Sequence, residues 1–185
     1  MEGVVLRPRA GVTAAAPWPR AEALTTPRLV LEPLRPDHVR ELAPVLDDRA
    51  LHAFTGGAPA DEDALRARFD RQAAGHSPDG AQGWLNWVAR DRVTQAPVGI
   101  VQATIAEDDG ARTAALAWVV GTSRQGEGLA TEAARAARDW LRDHGVTRFV
   151  AYIHPDHAAS AAVARHLGLA ATDERRAGEV RWLGS

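Results

Sequence analysis

From Trp84 onward, apolar and polar residues alternate with a period of two through "WLNWVARD", "APVGIVQATIA" and "TAALAWVV". That period marks strands, and the breaks at "DRVTQ" and "EDDGAR" fit turns, so the stretch reads as a three-stranded antiparallel meander. The period then changes abruptly. Ala130, Ala133, Ala134, Ala137 and Leu141 recur at i, i+3, i+4, i+7 and i+11, one face of a helix that Gly145 closes. "TRFVAYI" returns to a strand, "DHAASAAVARHLG" to a short helix ending at Gly168, and "GEVRWL" to a last strand. Ahead of the meander, "TTPRLVLEPL" is strand-like. "PDHVRELAPVL" is helical, with Val39, Leu42, Val45 and Leu46 on one face and Pro44 expected to bend or shorten it. "APADEDALRARFDRQAAG" is a second helix, with an acidic first turn and Gly75 at its end. The expected order is strand, two helices, meander, helix, strand, helix, strand. That is an α+β (layered α/β) domain with a mixed, mainly antiparallel sheet flanked by helices.

The pattern starts near residue 24. Residues 1–23 are rich in Ala, Pro and Arg without a clear period and read as an extension or draped arm; residues 24–185 read as one domain. Composition then narrows the function. A net charge of -2 excludes a strongly basic nucleic-acid binder, and no apolar run reaches the roughly 18 residues of a membrane span. All 22 cationic Lys/Arg positions are Arg, which removes any mechanism that needs a lysine. The absence of Cys removes disulfides, thiolate metal sites and cysteine nucleophiles; no metal is expected. The N-terminus makes a poor signal peptide, so the cytoplasm is the expected address.

The candidate chemistry lies where the period switches, in "SRQGEGLATEA", residues 123–133. Gly126 and Gly128 stand between a strand end and a helix start. Glycine there permits positive φ and lets a ligand lie against the backbone. The first helix amides have no internal partner, and the dipole gives them partial positive charge. Two readings follow: a cradle for phosphate or pyrophosphate, or a tight strand-to-helix turn without a ligand. It is neither a Walker loop, which needs a Gly-Lys-Ser/Thr, nor a Rossmann fingerprint, which needs a third Gly in an early βαβ unit.

Gln125-x-x-Gly128-x-Ala130 resembles the coenzyme A pyrophosphate loop of the GNAT N-acetyltransferase superfamily, and "GEGLATEA" is similar to the version carried by the ribosomal-protein N-terminal acetyltransferases. "HPDHAASAAVARHLGL" is similar to the family's Pro-x-Asn-x-x-Ser segment and the helix ending Leu-Gly-Phe, and "TPRLVLEPLRPDH" resembles its opening phrase. Three phrases in order span residues 24–185. The chain departs from the pattern at His157, where the family has Asn, and at Leu169, where it has Phe. Ala115 stands near the place where many relatives carry a Glu, and the helix ending "ARHLG" lacks the tyrosine that donates a proton in some GNAT enzymes.

The resemblance implies a GNAT-like sheet with a splayed strand pair holding coenzyme A. It implies an acetyl-coenzyme A-dependent N-acetyltransferase acting directly on a primary amine, small-molecule or peptide, with a coenzyme A-binding sensor or silent module as the alternative. It assigns Arg124, Gln125, Gly126, Glu127, Gly128, Leu129, Ala130 and Thr131 to the pyrophosphate, and the backbone of Trp118, Val119 and Val120 to the thioester oxygen. Ser160 matches the family's Ser, the donor to the leaving thiolate, or else is a helix-start hydroxyl bonding local backbone. His157 is a base or coenzyme contact, or else a surface residue beside a helix cap. Trp84 and Trp87 face opposite sides of one strand; with Phe54 they are the acceptor candidates, one Trp being core. Asp61 to Asp63 either draws a cationic amine or starts a helix. A monomer or homodimer is expected.

Overall fold

The computed structural model describes residues 18–51, 61–108 and 110–185. In chain order the strands and helices are β1 (Leu24–Thr25), β2 (Leu29–Pro33), α1 (Val39–Leu46), α2 (Glu62–Ala73), β3 (Gly83–Asp91), β4 (Pro97–Asp108), β5 (Ala111–Val120), α3 (Leu129–Asp143), β6 (Arg148–Ile153), α4 (Ala158–His166), β7 (Ala170–Arg176) and β8 (Glu179–Gly184). The strands form one sheet in the order β1-β2-β3-β4-β5-β6-β8-β7. Every neighbouring pair is antiparallel except β5–β6, so the chain has the expected mixed, mainly antiparallel α+β architecture.

Two apolar clusters seal the two faces of the sheet. On one face, Val39 and Leu42 of α1 and Leu65 and Phe69 of α2 pack on Val88 and Ile100. On the other, Leu129, Ala133, Ala134, Ala137 and Leu141 of α3 and Ala161 and Ala164 of α4 pack on Leu85, Trp87, Val101, Ala103 and Leu116. The alanine stripe of α3 keeps that helix close to the sheet. Pro44 sits inside α1, which is only eight residues long, as expected of a residue that removes an amide donor. Asp61 caps α2, its carboxylate accepting from the Ala64 amide at 2.8 Å, so the acidic stretch 61–63 starts a helix.

The described part of the N-terminal arm lies on the α3 face. Trp18 packs against the core cluster and donates through Nε1 to the Gly80 carbonyl at 2.9 Å. Three arginines of α3 reach other parts of the chain: Arg135 and Arg138 donate to the carbonyls of His166 and Leu167, closing the carboxyl end of α4, and Arg142 donates to the Ser185 carbonyl.

Two strands differ from the sequence pattern. β1 has only two residues, and β7 is "AATDERR", largely exposed and rich in charge. β7 is an edge strand, so it needs only the ladder to β8 and shows no apolar alternation.

Gly99 is a steric requirement of the β4–β5 pair. A Cβ at that position would stand 2.0 Å from the Val119 carbonyl oxygen, a backbone atom in the middle of the sheet. Gly99→Ala is expected to lower unfolding stability by about 2 kcal/mol or more, read by urea denaturation; an unchanged midpoint would show that β5 can move away without loss.

Candidate coenzyme and acceptor site

β5 and β6 are paired only at Thr113–Arg148, Ala114–Phe149 and Ala115–Val150. Beyond that, β5 runs on beside β4 to Val120 and β6 runs on beside β8 to Ile153. The two strands therefore part, leaving a slot between residues 116–120 and 151–153. Because they are parallel, the loops after them open at the same end of the sheet: residues 121–128 after β5, and residues 154–157 after β6.

The direction of the β5 backbone groups in this slot follows from the ladder. The Gly121 amide donates to Val98 of β4, and the Arg112 carbonyl accepts from Thr147 beside β6. Groups alternate along a strand, so Leu116, Trp118 and Val120 turn their amides and carbonyls into the slot, whereas Val119 turns its own toward β4. Val119 also packs its side chain against the α1/α2 cluster. Of the three positions expected to face the thioester oxygen, Trp118 and Val120 turn backbone groups into the slot, and Val119 turns its own away from it.

The loop carries positive φ at Gly126 (79°) and Gly128 (78°), and Gly128 is the N-cap of α3. Glu132 is the first residue of the helix whose amide has a backbone partner, the Gly128 carbonyl at 3.1 Å; among the described residues nothing accepts from the amides of residues 126–131. Gln125 donates from Nε2 to the Val120 carbonyl at 3.0 Å, folding the loop back on the strand end. Arg124 pairs with Glu127 at 2.9 Å and Asp91 at 3.1 Å. Its pKa is pushed above the usual value by the hydrogen bonds to Glu127 and Asp91. Asp91 is lowered to about 2, first by the Thr94 and Val93 amides and then by Arg124.

Three residues of this site escape a reading by family motif alone. Glu132, in the first turn of α3, accepts from the Thr26 hydroxyl at 2.6 Å, the Arg28 amide at 2.8 Å and the Arg28 Nε at 2.7 Å. Arg28 also donates to the Glu127 carbonyl at 2.9 Å. Burial pushes the Glu132 carboxyl up, but these donors outweigh it and hold the group below the usual carboxylate range. The opening phrase "TPRL" and the loop phrase "GEGLATEA" are thus one spatial unit.

On the other side of the slot, His157 is the N-cap of α4, and its amide donates to the His154 carbonyl at 2.9 Å. Burial, and then the charge of His154, lower its pKa. Ser160 is the third residue of α4 and partly exposed; among the described residues its hydroxyl makes no hydrogen bond, so the local-backbone reading is not realised. The β6–β8 ladder ends at Ile153–Val180, so its next position sets His154 opposite Glu179. Burial raises the Glu179 carboxyl, and His154 and Arg176 partly oppose that. Ala115 does occupy the mid-sheet position without a carboxylate, and Glu179 brings one to the mouth from a different strand.

The tryptophans divide as the strand period requires. Trp87 is fully buried on the α3 face, donating to the Glu22 carbonyl at 2.8 Å and meeting Trp140 edge-on at 5.9 Å. It is core and offers no surface to an acceptor, which corrects its assignment to the substrate. Trp84 is half-buried on the opposite face, beside Asn86. Phe54 lies outside the described residues.

Glu132→Ala is expected to lower stability by about 1 kcal/mol or more in urea denaturation, since it strands the Arg28 guanidinium and the Thr26 hydroxyl. Glu132→Gln, which keeps an acceptor oxygen, is expected to cost less. Equal effects of the two variants would remove the hydrogen bonds as the cause.

Comparison with known proteins agrees with this geometry. The family model described as an acetyltransferase (GNAT) domain matches residues 28–170. No curated protein matches. Among solved structures, a ribosomal L7/L12 alpha-N-protein acetyltransferase in complex with coenzyme A is 20% identical, with a TM-score of 0.72, covering 88% of this chain and 97% of the other. An acetyltransferase of Salmonella typhimurium that modifies the N-terminal serine of ribosomal protein L7/L12 is 20% identical, with a TM-score of 0.71 and coverages of 88% and 98%. A GNAT-family acetyltransferase from Bordetella pertussis is 24% identical, with a TM-score of 0.67 and coverages of 88% and 98%. At these identities the structures share the fold, while the family match runs through both strands of the slot and the glycine loop: the chain is a member of the GNAT acetyltransferase family.

Proposed function

We propose that this acetyltransferase moves the acetyl group of acetyl-coenzyme A directly onto a primary amine held on the α1/α2 face of the slot. The observation that carries the reading is the junction of free amides at residues 126–131 with the open backbone of Trp118 and Val120. The loop amides and the α3 dipole suit a pyrophosphate. Glu127 would repel that charge, but its carboxylate is already taken by Arg124, and Arg28 lies over its carbonyl.

In the transfer step, the amine nitrogen bonds to the thioester carbon and the carbonyl oxygen gains negative charge. Amide donors aimed into the slot from Trp118 and Val120 are suited to stabilise it. The carbon–sulfur bond then breaks. Ser160, at the start of α4, gives a proton to the departing thiolate in this reading. The proton of the amine goes to a base on the β6 side, which returns it to restore the Ser160 hydroxyl. His157 suits this role because its lowered pKa keeps the imidazole neutral, and so able to accept, at neutral pH.

Two measurements test the reading. Calorimetry with acetyl-coenzyme A is expected to show saturable binding, which Gly128→Asp abolishes by setting a carboxylate among the loop amides. Aspartate tolerates the left-handed backbone better than most residues, so the variant should still fold. Absence of wild-type binding at millimolar ligand defeats the proposal. Thiol release with a panel of peptide, aminoacyl, polyamine and aminoglycoside amines then separates an enzyme from a coenzyme sensor. Ser160→Ala is expected to slow turnover by about tenfold or more while leaving coenzyme affinity within a few fold; an unchanged rate removes Ser160 as the proton donor.

A further inference from the structure

The α1/α2 face of the sheet carries a row of polar side chains that leads from α2 to the slot. Asn86 of β3, Gln102 of β4 and Ala117 of β5 are cross-strand partners in register. Gln102 donates to Asn86 Oδ1 at 2.9 Å, and Asn86 donates to the Gln72 carbonyl of α2 at 3.4 Å. Both side-chain amides are buried. The neighbouring row, Val88, Ile100 and Val119, lies under the apolar cluster of α1 and α2. Buried amides beside such a cluster are costly unless hydrogen-bonded, and these two bond each other and the Gln72 carbonyl. At the slot end the row finishes in Ala117, a small, half-buried residue next to Trp118.

The α2 end of the row holds an unusual pair. Leu65, Arg68, Phe69 and Gln72 share the face of α2 turned to the sheet, with Leu65 and Phe69 in the core. The Nε of Arg68 and the Oε1 of Gln72 are both buried without a hydrogen-bond partner. Among the described residues Arg68 forms no ion pair; its guanidinium sits 5.7 Å from the centre of the Phe69 ring. Burial, and then the nearby charge of Arg71, lower its pKa. A guanidinium fork so placed is a receptor for an oxyanion, and the open Gln72 Oε1, an acceptor, suits an N–H next to that group.

We propose that the sheet face carrying Asn86, Gln102 and Ala117 takes an amine acceptor that also carries an anionic group, carboxylate or phosphate, and that Arg68 binds that group while Gln72 Oε1 accepts from an N–H of the acceptor. This rests on the acetyl-transfer reading above and makes it specific: the amine lies at the slot, and the anion lies at least two strand spacings away, on the order of 10 Å. An extended peptide covers that distance in about three residues, so an acidic or phosphorylated residue a few positions after a free N-terminus has the right shape. The acidic start of α2 does not conflict, because Asp61 is engaged as its helix cap.

The test is acetyl transfer to peptide amides that differ only by Glu against Gln, or phosphoserine against serine, at each of positions two to five. Wild-type protein is expected to favour the anionic member at one position by about tenfold or more in kcat/KM, and the better of the two anions identifies the group. In Arg68→Gln the anionic-to-neutral ratio is expected to fall toward one, and Arg68→Lys is expected to keep part of it. No anionic preference at any position overturns the proposal, as does an Arg68→Gln variant that loses rate with its ratio intact. If no peptide is acetylated, the peptide acceptor fails, the acetyl-transfer reading is judged by the wider amine panel, and Arg68 is judged by thermal unfolding with inorganic phosphate. A rise in Tm for the wild type that Arg68→Gln lacks sustains the anion site; no rise, or an equal rise in both, overturns it.

Discussion

The parting of β5 from β6 is the constraint on which the rest of the structure depends. Each strand keeps a full antiparallel partner on its outer side: β4 along β5, and β8 along β6. Only three register pairs join the two halves. Right-handed twist within each half carries the free ends apart, and a mid-sheet strand is left with bare amides and carbonyls. Such groups need partners. The protein supplies one, the Gln125 side chain on the Val120 carbonyl, and leaves the others facing a slot that a ligand's own amides and carbonyls can fill.

An incomplete sheet end requires a loop that holds its shape without a ligand. The structure meets this with contacts from distant parts of the chain rather than with local rigidity. Thr26 and Arg28 at the start of β2 meet Glu132 at the start of α3, and Asp91 at the end of β3 meets Arg124. Val45 of α1 approaches Gly121 so closely that a Cβ there would stand 2.9 Å from it. Four elements thus fix one glycine-rich turn. Charge is balanced in the same way: every carboxylate in these contacts is met by a guanidinium, so the free amides at residues 126–131 keep their positive potential.

The sequence makes some of this legible and hides the rest for physical reasons. The meander, α3 and β6 can be read directly, because buried strands and an alanine-faced helix leave strong periods. The glycine loop can be read because positive φ restricts the residue type. β7 cannot, since an edge strand has no buried face to write into the sequence. Glu132 and Arg28 are invisible to any local period; they lie 104 residues apart and look like ordinary surface charge. Trp84 and Trp87 are correctly split by strand alternation, but only the positions of Glu22 and Trp140 decide that Trp87 is the core member. The same alternation, once anchored by the Gly121 bond to Val98, decides that Val119 faces away from the slot.

The two faces of the sheet divide the work along the slot. The α3 face is nearly all alanine and leucine beneath α3 and α4, which lets both helix starts come close to the parting strands. The α1/α2 face carries polar side chains one and two strands in from the slot, with Asn86 and Gln102 in one row and Trp84 and Thr104 in the next. A coenzyme needs the same backbone contacts in every enzyme of such a design, and those come from strand edges and a helix start that side-chain changes barely alter. An acceptor is distinguished by side chains, and here those side chains lie on a face that α1 and α2 cover only in part. Change on that face can therefore alter side chains beside the slot while the open edge of β5 stays as it is.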